Sequence, residues 1–228
     1  MKHLLKHMLF LALFLSAAGL SAQIALGVRG GLHMANWSLN DVAQNELGSE
    51  TKTSNLLLFG ALMEIRLTNN IAIQPEVTYI QKGTKIFEES SLPVPTKLDA
   101  RFTINYVEVP LLLKIGTGFG IGRFDLLLGP SFGYGLNGKR KITLEIGGNS
   151  NTETEDVDFK QDEISRSDVG AQIGASLGLN LGGAARLFVD GRYLLGFTNL
   201  DQHDHGSGDE PVVRNRGVAL TAGLLFPF

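Results

Sequence analysis

The sequence predicts an all-β chain: a closed eight-stranded antiparallel up-and-down β-barrel of the transmembrane kind, preceded by a secretory signal. Three observations predict it. Segments of about ten residues alternate apolar and polar side chains with a period of two. Through the middle of each segment the charged residues keep to one parity. The links between segments alternate short and long, as in barrels that expose one end to the periplasm and the other to the outside.

The chain opens with Lys2 and Lys6 ahead of an apolar run from Met8 to Leu15, then small residues up to Ala22, the order of a signal peptide. Cleavage is expected near Ala22, or after Ala18, leaving a signal over 1–22 and a barrel domain over 23–228. The apolar run is too short to cross a bilayer, which needs about 20 residues. With no cysteine in 228 residues, a disulfide framework, a thiolate metal site and a lipoprotein anchor are all excluded. Without Lys2 and Lys6, 18 basic residues face 23 acidic ones, a net charge of −5, which does not suggest a nucleic-acid partner.

Eight alternating segments follow, at roughly 25–36, 55–67, 71–82, 101–115, 123–135, 167–180, 185–197 and 214–228. A lipid-facing Lys or Arg costs about 2–4 kcal/mol at the bilayer midplane, so the charged row is assigned to the lumen. In the first segment Arg29 and His33 oppose Val28 and Leu32. The second sets Glu64 and Arg66 against Leu57, Phe59, Met63 and Ile65. In the third, Gln74, Glu76 and Lys82 oppose Ile71, Ile73, Val77 and Tyr79, and in the fourth Glu108 and Lys114 oppose Val107, Val109, Leu111 and Leu113. The fifth puts Asp125 inward, and the sixth puts Asp168 and Gln172 opposite Val169 and Ile173. The seventh opposes Arg186, Asp190 and Arg192 to Leu187, Val189 and Tyr193. The eighth carries Val218, Leu220, Leu224, Phe226 and Phe228 on its outward row.

A soluble antiparallel sandwich would alternate equally well, but its polar face should be rich in Lys, Thr and Ser. Here that face holds Gly129, Gly133, Gly170, Gly174, Gly178, Gly217 and Gly223, which suits a crowded lumen better than a wetted surface. Short links at 68–70, 116–122 and 182–185 exchange with long polar ones at about 37–54, 83–100, 136–166 and 198–213. Both termini are therefore expected in the periplasm. Outward aromatics fall into two girdles: Phe124, Phe226 and Phe228 at one end, Tyr79, Phe132, Tyr134 and Phe197 at the other. Pro75, Pro110 and Pro130 interrupt strands and remove ladder donors, so bulges are expected there.

The stretches QPEVTYIQKG (74–83), NYVEVPLLLKI (105–115), LLLGPSFGYGL (126–136) and the final LTAGLLFPF resemble the PorT-like outer-membrane β-barrel family, often labelled a porin family. Gln74-Pro75-Glu76, Glu108-x-Pro110 and Gly129-Pro130 are the landmarks. The resemblance implies a bacterial outer-membrane location, and some members are tied to type IX secretion. It also implies that the terminal strand, with Phe226 and the final Phe228, is the signal read by the barrel assembly machinery.

Eight strands enclose just enough space for side chains to fill, whereas aqueous porins use 16 to 18. The inward candidates are Arg29, Arg66, Lys114, Arg186 and Arg192 against Glu64, Glu76, Glu108, Asp125 and Asp190, so ion pairs are expected to plug the lumen. The connection at 137–166 is expected to rise as a hairpin around Gly147-Gly148-Asn149, and its acidic cluster reads as a solvated loop. His203 and His205 among Asp201, Asp204, Asp209 and Glu210 resemble metal ligands, but no third histidine is near and no metal or other cofactor is expected. No Gly-x-Ser-x-Gly elbow occurs, and Gly118-Phe119-Gly120-Ile121-Gly122 precedes a strand, so it reads as a turn and not as a phosphate loop. The expected function is non-enzymatic: a monomeric outer-membrane barrel in contact with lipid, displaying loops for envelope structure, adhesion or interaction. A secretion accessory or a narrow solute channel are the alternatives.

Overall fold

The computed structural model describes residues 23–47, 51–90, 94–182, 185–203 and 210–228. The signal expected over 1–22 lies outside them. The elements are β1 (Gln23–Leu39), α1 (Asp41–Leu47), β2 (Thr51–Lys52), β3 (Ser54–Arg66), β4 (Ile71–Ser90) and β5 (Thr96–Phe119), then β6 (Gly122–Ile146), β7 (Asn149–Asp156), β8 (Ser167–Asn180), β9 (Arg186–Gly196) and β10 (Val213–Pro227). Antiparallel pairing runs β4–β3–β1–β10–β9–β8–β6–β5, and β5 pairs back onto β4. The ring is closed with eight strands, so it presents no open sheet edge, as a hydrocarbon environment demands. β2 and β7 sit outside the ring, on β4 and β6.

Alternation carries straight into burial. Outward Val28, Leu57, Val77, Leu111, Leu128, Ile173 and Val189 are half or more exposed, while the inward row is buried on every strand. Between the registers, small residues make room for large inward neighbours: a Cβ on Gly174 would meet Arg192, and one on Gly178 would meet Arg186. Gly83 has φ +148°, and a Cβ there would sit 2.0 Å from the Phe102 carbonyl oxygen, so only glycine fits where β4 leaves the barrel.

Three expectations are corrected. No bulge forms at Pro75, Pro110 or Pro130. The register is the same on both sides of each: Leu62↔Glu76 continues to Ile65↔Ile73, Pro75↔Leu111 to Thr78↔Glu108, and Pro110↔Ser131 to Leu113↔Leu128. A missing N–H deletes local hydrogen bonds but adds no residue to the strand, so the count across the ladder is unchanged. The register shift between β5 and β6 falls instead at Asn105/Tyr106. Second, the first long connection contains α1, too short to show a helical period; Asn40 Oδ1 caps it by accepting from the Ala43 N–H at 3.0 Å. Third, β4, β5 and β6 run well past the predicted limits. Their outer parts carry only short apolar alternation, such as Ile142, Leu144 and Ile146, and they pair beyond the barrel, with Lys85 2.8 Å from Asp99. With β7 they make a blade beyond the barrel, turning at Gly147 and Gly148, where the hairpin was expected.

Candidate functional site

The chemistry of this chain is concentrated in two places, the lumen and the mouth beneath the long connections. In the middle of the lumen, Arg192 Nη1 donates to Glu76 at 3.0 Å and its Nη2 to Asp190 at 2.9 Å, with both partners essentially sealed from solvent. Arg29 Nη1 stands 3.1 Å from Glu76 and 3.7 Å from Asp190. Gln172 donates to Glu108 at 2.6 Å, and Thr221 donates to Asp190 at 2.8 Å. At the end holding the first and last strand residues, Glu64 takes Arg66 at 2.8 Å, Arg186 at 2.7 Å and Lys114 at 2.8 Å. Asp125 lies 3.5 Å from Lys114. Of the ten predicted charges, Arg66 alone keeps an appreciable side-chain exposure, 23%.

Three further charges join them. Lys82 pairs with Glu108 and, at 2.9 Å, with Asp168; Arg123 Nε donates to Asp125 at 2.8 Å. Lys82 and Asp168 already stood on the inward parity, and Arg123 shares parity with Asp125, so counting every inward position would have found all three. The lumen then holds seven cations against six carboxylates, not five of each. His33 is buried and its Nδ1 lies 2.8 Å from the Gln81 carbonyl oxygen. Above the charged layers an apolar cluster of Leu58, Ile80, Ile104, Tyr106, Leu194 and Ala219 receives Phe159 from the connection after β7. Charges this deep persist because each is paired; an unpaired one would cost several kcal/mol.

At the opposite mouth from the termini, Trp37 meets Phe102 at 5.2 Å, ring centre to ring centre. They share a cavity of about 350 Å³ with Ile104, Ile164, Leu200 and Val213 at its base and Arg140, Asp162, Asp201 and His203 at its rim. The Trp37 indole N–H is buried there without an acceptor. The walls come from separate connections tied together: the Ser165 N–H donates to the Leu200 carbonyl at 2.9 Å, and Ile164 bridges Asp201. His203 Nδ1 lies 2.7 Å from Asp201 and its Nε2 3.5 Å from Glu163; the Asp201 hydrogen bond raises its pKa above the ordinary 6.5. His205 lies outside the described residues, and among those described no group of three or more His, Asp or Glu could hold a metal ion.

The sequence model of the family described as "Outer membrane protein beta-barrel domain" matches residues 17–202. No curated protein matches the chain. Among solved structures, it is similar to Ail, the attachment invasion locus protein of Yersinia pestis, at 16% identity and a TM-score of 0.42 over 91% of this chain and 99% of that one. It is similar to the outer membrane protein OprG from Pseudomonas aeruginosa at 12% identity and 0.45, covering 91% and 97%. A major outer membrane protein from Thermus thermophilus aligns at 9% identity and 0.49, covering 91% and 100%. With the match extending over most of its 228 residues, the chain belongs to the outer-membrane β-barrel family and to the bacterial outer membrane.

Proposed function

We propose that this protein is a non-enzymatic outer-membrane barrel with a sealed lumen, whose external blade and mouth form a binding surface for adhesion, envelope organisation or a protein partner. The observation that carries this reading is the lumen itself: Arg192, Glu76 and Asp190 fill its middle with side chains 0–1% exposed. Such a layer supports a lumen filled by side chains, as eight strands allow, and with it a task other than solute passage. What stands away from hydrocarbon is the set of long connections, with the aromatic cavity among them. In this reading the short turns and both termini lie in the periplasm and residues 1–22 are removed on export. Phe226 and Phe228 address the chain to the barrel assembly machinery, and the folded barrel is a monomer. The resemblance to PorT-like proteins supports a narrower reading, an accessory role in secretion, with the same sealed barrel as its anchor.

Planar-bilayer recording of refolded mature protein tests the sealed lumen: no large, stable conductance is expected, and steady openings on the nanosiemens scale would overturn it. Gene deletion separates the roles. Loss of surface attachment with secretion intact supports a binding surface, whereas a secretion defect with attachment intact supports the accessory role.

A further inference from the structure

The barrel end that holds Gln23 and Pro227 carries a cationic surplus, whereas in the rest of the lumen three cations face four carboxylates. Four cations, Arg66, Lys114, Arg123 and Arg186, share two carboxylates, Glu64 and Asp125. In the middle layer Arg29 and Arg192 face Glu76 and Asp190, and Lys82 faces Glu108 and Asp168. The two carboxylates are fully used: one Glu64 oxygen accepts from Arg66 and Arg186 and the other from Lys114, while Asp125 serves Arg123 and Lys114. Arg123, with a side chain 7% exposed, gives Nε to Asp125 and Nη1 to the Asn69 carbonyl, and its buried Nη2 has no partner. Among the described residues, Arg66 and Arg186 each spend only Nη2, both on Glu64.

Arg66, Arg123 and Arg186 line one cavity of about 260 Å³, with Glu64 as its one acidic lining residue. Gly118, Gly120 and Gly122 also line it; a Cβ at Gly120 would have no neighbour within 4 Å, whereas one at Gly122 would meet the Phe119 ring at 2.5 Å. We propose that this mouth binds a phosphate group. A surplus of two positive charges matches a doubly charged oxyanion, and planar guanidinium forks pair with phosphate oxygens two at a time. A dissolved phosphate and the headgroup of an anionic lipid at the inner face of the membrane would present the same chemistry. Outward Phe119, Ile121 and Leu181, all more than half exposed, stand beside this end, where a lipid headgroup would lie.

Isothermal titration of mature protein, refolded in a maltoside detergent that carries no phosphate, tests the site. One arm adds inorganic phosphate and the other short-chain phosphatidic acid. Binding is expected in at least one arm, and Arg66→Gln and Arg186→Gln should each weaken it roughly tenfold, the loss of a charge-assisted hydrogen bond. Heat-modifiable migration on a detergent gel verifies that each variant is folded, and Arg66, at the rim, is the safer of the two. Tighter binding of phosphatidic acid assigns the site to lipid; binding of inorganic phosphate alone assigns it to a soluble ligand. Absence of binding in both arms by folded wild-type protein overturns the proposal, as does binding that neither substitution weakens.

Discussion

Arg192→Ala is the sharpest probe of the lumen. The side chain is fully enclosed and makes the bonds to Glu76 and Asp190 at 3.0 and 2.9 Å, with Gln172 a further acceptor at 3.3 Å. Removing it leaves two buried carboxylates with a single guanidinium, Arg29, at 3.1 and 3.7 Å. Breaking a buried pair by deleting one partner costs about 3–5 kcal/mol, because the remaining charge is left without compensation. Arg140→Ala is the internal comparison: its bond to Glu155 is short, 2.6 Å, but the side chains are 44% and 49% exposed, and such surface pairs contribute at most about 1 kcal/mol. Urea unfolding in lipid vesicles, followed through the single tryptophan, Trp37, measures both. Adding Glu76→Gln to Arg192→Ala should cost much less than the sum of the separate losses, since the second change removes the stranded charge. A loss below about 1 kcal/mol for Arg192→Ala, equal to that of Arg140→Ala, would mean that water reaches this layer and the sealed-lumen reasoning fails.

Three other predictions follow from the same geometry. Leu128→Arg, on the outward row at 56% exposure, should lower stability in vesicles by about 2–4 kcal/mol, although Lys114 is accommodated on the inward row of the neighbouring strand; an unchanged unfolding midpoint would contradict the lipid-facing assignment. His203 should titrate above 6.5 by NMR, and Asp201→Asn should bring it down towards that value. Because the folded pKa is raised, the tether to Asp201 is complete below 6.5 and is lost as pH rises through the folded pKa; a titration at or below 6.5 in the intact protein refutes it. Phe228→Ala should reduce the amount assembled in the outer membrane while the refolded barrel keeps its heat-modifiable migration, as the side chain is 82% exposed and fills no core position. Wild-type assembly levels would remove Phe228 from the targeting role.

The legible and illegible parts separate by the kind of signal each left. Eight alternating segments were readable because the side-chain period of a strand is two and one face had to meet hydrocarbon. Glu64, Glu76, Glu108 and Arg192 could be placed inward for the same reason, and each is 1–2% exposed. The outer halves of β4 and β5 were missed because both faces there meet water and no face had to stay apolar, whereas the outer half of β6 was legible as the hairpin turning at Gly147 and Gly148. Asn40 and α1 were missed because seven residues are shorter than two helical turns. The prolines misled in a narrower way, since a lost donor was read as a gained residue.

By itself the sequence determined the architecture: parity turned the charges of the barrel's middle to one side, whereas Arg101, Arg214 and Arg216, at strand ends, share the outward parity and are exposed. Which cation meets which carboxylate was decided only by closure of the ring. Arg192 and Glu76 lie 116 residues apart, Arg186 and Glu64 lie 122 apart, and no local pattern relates them. Strand stagger and tilt bring these positions to one height, and the surplus of cations at one mouth exists only once that height is set.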